Sequence, residues 1–342
     1  MSSVEPLRRY LSSVVGEDVD IDTFDRVEGG WSRQTHRVVV SGRAGRQVLA
    51  LRGEIDVSVL DTDLEREWRV MVAVDGSGVP MPRLYGFEGT GDILGYRFIT
   101  MGWIDGEAPN PWRRASAARL RAWADRAELG PTWIDDIARL HLLDPGPVRA
   151  AGVDPDAAID NQLERELGHW VGMLRATTHH PGALVEEACG WLEDNRPPPA
   201  GRTAIVHGDL RIGNMLIRCD RVVAFLDWEM AGLGDWRVDL GYCLMPYHAG
   251  KLLERIPPSA NGLMHPATFV DRYLQATGDA VGEEELTYFI VLGCLKMIAI
   301  LCTGIDKYMA GRTKDPRLAW NSIAVPGLVD DVCRLIDRGR PW

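Results

Sequence analysis

His207-Gly208-Asp209-Leu210-Arg211-Ile212-Gly213-Asn214, followed after one apolar hairpin by Leu226-Asp227-Trp228, is the stretch that decides how this chain is read. Ala204 to Val206 is a short apolar run that enters a loop. Met215 to Ile217 and Val222 to Leu226 are two further strand-like runs, joined by the polar turn Arg218 to Arg221. Antiparallel pairing of those runs sets Asn214, at the start of one, beside Asp227, at the end of the other. Asp209 arrives at the same open end of the hairpin.

A carboxylate and an amide at one point offer hard oxygen ligands. They suit magnesium, an ion that keeps several waters and shares its remaining positions with substrate phosphates. Asp209 stands outside that pair. His-x-Asp, four intervening residues and Asn is the spacing of a kinase catalytic loop, where the Asp accepts the proton of the attacking hydroxyl and the Asn and a later Asp hold the metal. The competing reading is a turn in which Asp209 and Asn214 bond their own backbone.

At 342 residues the chain exceeds what one hydrophobic core usually serves, so two packed lobes are expected. Its hydrophobic content of 46% and charged content of 25% are those of a soluble globular protein. A net charge of -11 argues against nucleic acid or an anionic membrane as partner, since both need a basic footprint. The six cysteines form no C-x-x-C pair and have no histidine at metal-ligand offsets, so reduced thiols in a cytoplasmic protein are expected. The N-terminus lacks the apolar core and cleavage site of a signal peptide. Tyr288 to Ile305 is the one membrane-like segment, but Lys296 interrupts it, and a buried helix of the larger lobe is the expectation.

The first hundred residues alternate short strand-like runs with glycine-rich turns, and the remainder is dominated by segments of helical period. Strands are expected at Phe24 to Val27, Thr35 to Val40, Val48 to Leu51, Leu84 to Phe87 and Leu94 to Met101, with one helix between them at Leu64 to Val74. The expected division is a nucleotide-binding lobe over 1–101, a Gly- and Pro-bearing hinge over 102–111, and a catalytic and acceptor-binding lobe over 112–342. Helices are expected at Ala115 to Glu128, Thr132 to Leu142, Ala157 to Ala176, Leu184 to Asn195, Pro266 to Thr277 and Glu283 to Ile305.

A metal held by Asn and Asp needs a phosphate donor, so the small lobe should carry a phosphate cover and a cation. Gly29-Gly30-Trp31-Ser32 lies between two strand-like runs, and its backbone N–H groups can approach phosphate closely. Arg52 ends the run Val48-Leu49-Ala50-Leu51, and Glu67, on the Leu64 to Val74 helix, is the carboxylate placed to orient it.

With these residues in view the chain resembles the aminoglycoside phosphotransferase and choline kinase superfamily, the small-molecule branch of the protein-kinase-like fold. Within it the wording is most similar to the phosphotransferase domains fused to certain acyl-CoA dehydrogenases. Gly29 to Ser32, Leu49 to Arg52, Arg66-Glu67-Trp68-Arg69-Val70, Gly78 to Pro82, His207 to Leu216 and Gly234-Asp235-Trp236-Arg237-Val238-Asp239-Leu240 carry the likeness. The resemblance implies an α+β, two-lobed fold with a small antiparallel-sheet lobe and a larger helical one. It implies Asp209 as catalytic base and Asn214 and Asp227 as magnesium ligands. Arg52, oriented by Glu67, would hold the phosphates of ATP or GTP under the cover of Gly29, Gly30 and Ser32. Gly102 C=O and Ile104 N–H would pair with the purine edge, and Asp239 would be a buried structural acid.

Two departures from the wider kinase pattern stand out. Arg52 occupies the place of the usual Lys, and Gly208 replaces the Arg of H-R-D, so activation-loop phosphorylation has no charge partner there and constitutive activity is implied. The implied reaction is transfer of a γ-phosphoryl group to a hydroxyl of a small molecule, a hydroxyacyl-CoA or an antibiotic. An aminoglycoside pocket would be rich in carboxylates, whereas an acyl-CoA pocket would pair an apolar slot with Arg or Lys at its mouth. The alternative function is a nucleotide-binding pseudokinase serving as an interaction module. Oligomeric state is not written in the sequence.

Overall fold

The computed structural model describes residues 4–27, 32–111, 113–124, 129–250, 259–340 and 342. The chain opens with helix α1 (Val4–Val15) and then builds β1 (Asp20–Val27), β2 (Gln34–Gly42) and β3 (Gly45–Gly53). Helix α2 (Leu64–Val74) follows, then β4 (Leu84–Glu88) and β5 (Phe98–Gly102). These strands form one antiparallel sheet in the order β1-β2-β3-β5-β4.

Period-two alternation explains what each face of that sheet does. Leu49 and Leu51 of β3 join Val38, Val40 and Phe98 beneath Leu7 and Leu11 of α1. Their neighbours Ala50, Ile99 and Met101 face the other way, into the main core with α2. Arg52 has the parity of Ala50, so the pleat itself aims it at that face. Helix α2 has the bounds its sequence predicts. Asp63 caps it by accepting the Glu65 N–H at 3.1 Å, and Leu64, Glu67, Val70, Met71 and Val74 form its buried stripe.

Beyond the connector the chain is mostly helical: α3 (Arg114–Ala124), α4 (Leu129–Leu142), α5 (Gly146–Ala150), α6 (Gln162–Arg175) and α7 (Ala183–Asp194). Strand β6 (Ala204–Val206), the hairpin β7 (Met215–Arg218) and β8 (Arg221–Phe225), and β9 (Gly232–Gly234) come next. Helices α8 (Arg237–Cys243), α9 (Pro266–Thr277), α10 (Glu283–Met309) and α11 (Pro316–Arg338) complete the lobe. The apolar window of α10 is 89% buried inside the fold, so this helix is the central post of the large lobe, as its sequence predicts. The chain thus has the expected α+β architecture, an antiparallel sheet lobe on a helical lobe.

Several bounds differ from expectation for local reasons. The strand expected from Leu94 begins only at Phe98, because residues 91–96 form a turn with Gly91 and Gly95 in the left-handed region. The helix expected from Ala157 begins at Gln162, because the Asn161 side chain accepts the Ala158 N–H at 3.1 Å and holds a turn there. Helices α1, α5 and α11 and strand β9 were not anticipated.

Candidate active site

The hairpin does what its sequence predicts. Cys219 and Asp220 both take left-handed backbone angles in the two-residue turn, the mirror-image geometry that matches strand twist. Met215 pairs with Phe225, and the Leu226 N–H donates to Asn214 C=O at 2.8 Å, so Asn214 and Asp227 stand at the open end. Asp227 itself is left-handed at φ 69°, a conformation that Asp tolerates better than most residues. The Asn214 amide donates to Asp209 C=O at 3.0 Å and to Asp209 Oδ2 at 2.5 Å. The free end of that amide is therefore its oxygen. Together with the Asp227 carboxylate it makes an all-oxygen donor pair of the kind that fits a hard divalent cation.

Asp209 is 6% exposed, with Arg211 Nε donating to its Oδ2 at 3.2 Å. Its Oδ1 is buried, and the Tyr242 hydroxyl is a hydrogen-bonding neighbour of the carboxyl. Burial works against the Asp209 charge, and the Arg211 guanidinium, with Tyr242 and His248, outweighs it and holds the carboxyl below its ordinary value. Asp209 is thus held as an ionised acceptor.

Across the cleft, Glu67 is 1% exposed and divides its two oxygens between two arginines: Arg52 Nε at 3.1 Å on Oε1 and Arg33 Nε at 3.3 Å on Oε2. Arg52 also donates to Asp227 Oδ1. The expected Arg52–Glu67 pair is therefore present and joins the small lobe to the hairpin. Arg33, also bonded to Thr62 Oγ1 at 2.9 Å, is a member that sequence reading missed. Glu229, packed near this cluster, is pushed well above the ordinary carboxyl range by burial and then by Asp227.

Ser32 is buried beside Arg33, whereas Gly29 and Gly30 lie outside the described residues. At the connector, Gly102 N–H donates to Arg83 C=O at 2.8 Å and Trp103 N–H to Val48 C=O at 3.0 Å. Ile104 N–H has no backbone acceptor among the described residues and is half-buried.

Residues 23–287 match the profile described as the phosphotransferase enzyme family. The chain belongs to that family. Curated relatives of this phosphotransferase include the acyl-CoA dehydrogenase family member 11 proteins of Gallus gallus, 26% identical over 72% of the chain, and of Rattus norvegicus, 24% identical over 93%. The chain spans only 32% and 41% of their lengths. Among solved structures, a Ralstonia eutropha protein described as a candidate aminoglycoside phosphotransferase superposes with a TM-score of 0.76 at 20% identity, each chain covered to 98%. A Plasmodium vivax ethanolamine kinase superposes with a TM-score of 0.58 at 12% identity, covering 96% of this chain and 87% of its own. These likenesses establish the kinase-like fold.

The loop over 207–214 of the phosphotransferase is held from behind. Asp239 is fully buried and accepts the His207 N–H at 2.7 Å, the Gly208 N–H at 2.8 Å and His141 Nε2 at 3.0 Å. It is the structural acid that the resemblance implies. His141, whose Nδ1 meets the Tyr273 hydroxyl at 2.7 Å, is a packed residue with a specific task. His207 Nδ1 accepts the Asp209 N–H at 3.3 Å, which makes it an anchor of the loop, and burial keeps its ring neutral below the ordinary imidazole range. His179 and His180 pair with Asp306 and Glu186, well away from this site.

A cavity of about 680 Å³ lies between α6, the start of α2 and β9, with Gly208, Glu229 and Lys296 in its wall. Asp209, Asn214 and Asp227 do not line it, whereas Gly208, next to Asp209 in the loop, does. Arg211 and Lys296 are the large-lobe cations at the loop that the motif alone did not single out. Arg211 lies inside the motif and could have been read from it. Lys296 drew notice only as a break in an apolar run.

Proposed function

We propose that the chain is a magnesium-dependent kinase of small molecules, moving the γ-phosphoryl group of ATP or GTP to a hydroxyl. The observation that carries this reading is the convergence of Asp209, Asn214 and Asp227 at the mouth of one hairpin, with Arg52 reaching Asp227 from the sheet lobe. Phosphoryl transfer asks little covalent chemistry of a protein: it needs alignment and charge neutralisation. Asp209 orients the acceptor hydroxyl and takes the proton late in the transfer. Arg52, kept in place by Glu67, neutralises phosphate oxygens, and Gly29, Gly30 and Ser32 would help to bind them. Gly102 C=O and the uncommitted Ile104 N–H read the purine edge. Asn214 and Asp227 would hold the magnesium ion, which supplies Lewis-acid charge to the phosphates when bound.

For the acceptor, the relatives that are acyl-CoA dehydrogenase family members support a hydroxylated acyl thioester or another lipid-like alcohol. The structural neighbour described as a candidate aminoglycoside phosphotransferase supports an antibiotic less directly, since it shares the fold alone. The test is nucleotide consumption across hydroxyacyl-CoAs, amino sugars, macrolides and choline-like alcohols, with and without a magnesium chelator. Product formed only with magnesium and lost in Asp209→Asn is expected. A magnesium-dependent thermal shift with ATP but no phosphorylated product from the whole set would reject the kinase reading in favour of a pseudokinase.

A further inference from the structure

Lys296 is an ammonium in the middle of the most apolar helix of the chain, 2% exposed, and the proposed phosphoryl transfer makes no use of it. Its Nζ donates to Gly208 C=O at 2.6 Å and lies over the rings of Trp170 at 4.9 Å and Tyr242 at 5.1 Å. The aromatic faces favour a cation without accepting its hydrogen bonds as an oxygen does. Glu166 Oε1, at 3.9 Å, is beyond hydrogen-bond reach and already accepts Trp170 Nε1 at 2.6 Å. An ammonium has three N–H groups, and a buried charge with unused donors is costly. Lys296 therefore has donors to spare in the wall of the 680 Å³ cavity.

The other polar groups of the cavity are unequally committed. Asp154 is taken by Arg66 and the Leu233 N–H, Asp235 by Arg237, and Asp61 pairs with Lys307 at the rim. Asp63 caps α2, and Glu229 accepts the Thr62 hydroxyl. Arg165 is a lining cation whose guanidinium has no ion-pair partner among the described residues. It sits on the same face of α6 as His169, Trp170 and Met173, the helical spacing that turns these side chains into one wall. Met173, Val206, Met230, Leu233 and Val238 supply apolar surface. The volume is that of a small-molecule site.

We propose that this cavity receives the acceptor, binding an oxyanion at Lys296 and Arg165 and an apolar chain along the Met173–Leu233 side. This rests on the kinase reading and narrows it: the acceptor is an anionic, chain-bearing alcohol, its charge a carboxylate or a phosphate, and a polycationic amino sugar is disfavoured. The shared Gly208 peptide, bonded to Lys296 on the cavity side and leading into Asp209, ties the seat to the catalytic loop.

Calorimetry on the whole chain, with and without ADP, separates the two readings, because it needs no turnover. The probes are hydroxydecanoate, its methyl ester, hydroxydecanoyl-coenzyme A and kanamycin. The carboxylate or the thioester should bind at least ten-fold more tightly than the neutral ester, and whichever does so identifies the anion. Arg165→Gln should remove most of that margin while leaving ester binding unchanged. Lys296→Met should do the same, and if it melts too low to assay, the exposed Arg165 position decides alone. Equal binding of acid and ester, an unaffected Arg165→Gln, binding of kanamycin only, or no binding of any probe would overturn the proposal. Anion binding without ADP-forming turnover of any probe would count against the kinase reading and leave the anion site standing.

Discussion

Arg52 of β3 and Asp227 at the end of β8 are joined across the cleft by an ion pair between residues 175 positions apart, and the same guanidinium bonds Glu67 of α2 at 3.1 Å. One planar fork thus ties the sheet, α2 and the proposed metal-binding carboxylate together. A compact ammonium cannot reproduce two such directions. Arg52→Lys is expected to raise the nucleotide KM several-fold, and Arg52→Ala more, with a loss of about 1–3 kcal/mol in stability from the buried carboxylate left with one partner. Urea melts and nucleotide titrations check this; a neutral Arg52→Ala would contradict it.

Asp209→Asn keeps the shape of the side chain and removes its charge and proton-accepting ability. The expected outcome is a fall in kcat of about 10²–10⁴ with nucleotide affinity little changed. Turnover within a few-fold of the unmodified chain would reject Asp209 as base.

Gly208 stands at φ 81°, and a Cβ there would sit 2.6 Å from Met230 C=O and 2.9 Å from Met230 Cβ. Both peptides that flank it are fixed, by Asp239 on its N–H and Lys296 on its C=O. Gly208→Ala is therefore expected to displace the loop and abolish transfer even where the fold survives. Asp239→Asn should cost stability by about 3–5 kcal/mol, because it removes the charge that two backbone N–H groups and His141 converge on. Circular dichroism melts and kcat measurements distinguish the two effects.

His248 is 3% exposed, and burial, outweighing the attraction of Asp209, holds its ring neutral down to about 3. His207 is shifted the same way. In the unfolded chain both titrate near the ordinary value of 6.5. A folded-state pKa below the unfolded one means that the unfolded state binds more protons on acidification. Stability is therefore complete above the unfolded value and declines as pH drops below it. At pH 5 the loss from His248 alone is about 2 kcal/mol. Melts between pH 7.5 and 5 should show this slope, and His248→Gln should flatten it.

What could be read beforehand followed from short-range rules. Helix α2 was legible to the residue because Asp63 caps it and its apolar spacing is regular. The hairpin was legible because two apolar runs flank a polar turn, and its register alone puts Asn214 beside Asp227. Helix α1 escaped notice because only Leu7 and Leu11 mark its buried face. Helix α11 carries Pro326 within it, and β9 is a Gly-Leu-Gly triplet whose strand character comes from pairing with β6. Arg33 was passed over because nothing local distinguishes it from the other arginines.

The amino-acid order by itself determined the loop over 207–214, the side-by-side placing of Asn214 and Asp227 and the two-lobed plan, since each depends on spacing within a few residues or on the period of a strand or helix. Tertiary structure decided which distant charges meet: Arg33 and Arg52 sharing Glu67, Asp239 gathering the loop, and Lys296 reaching Gly208 across 88 positions. Those partnerships depend on burial and packing that no local pattern encodes, because a side chain's charge partner is set by which elements the core brings within about 3 Å of it.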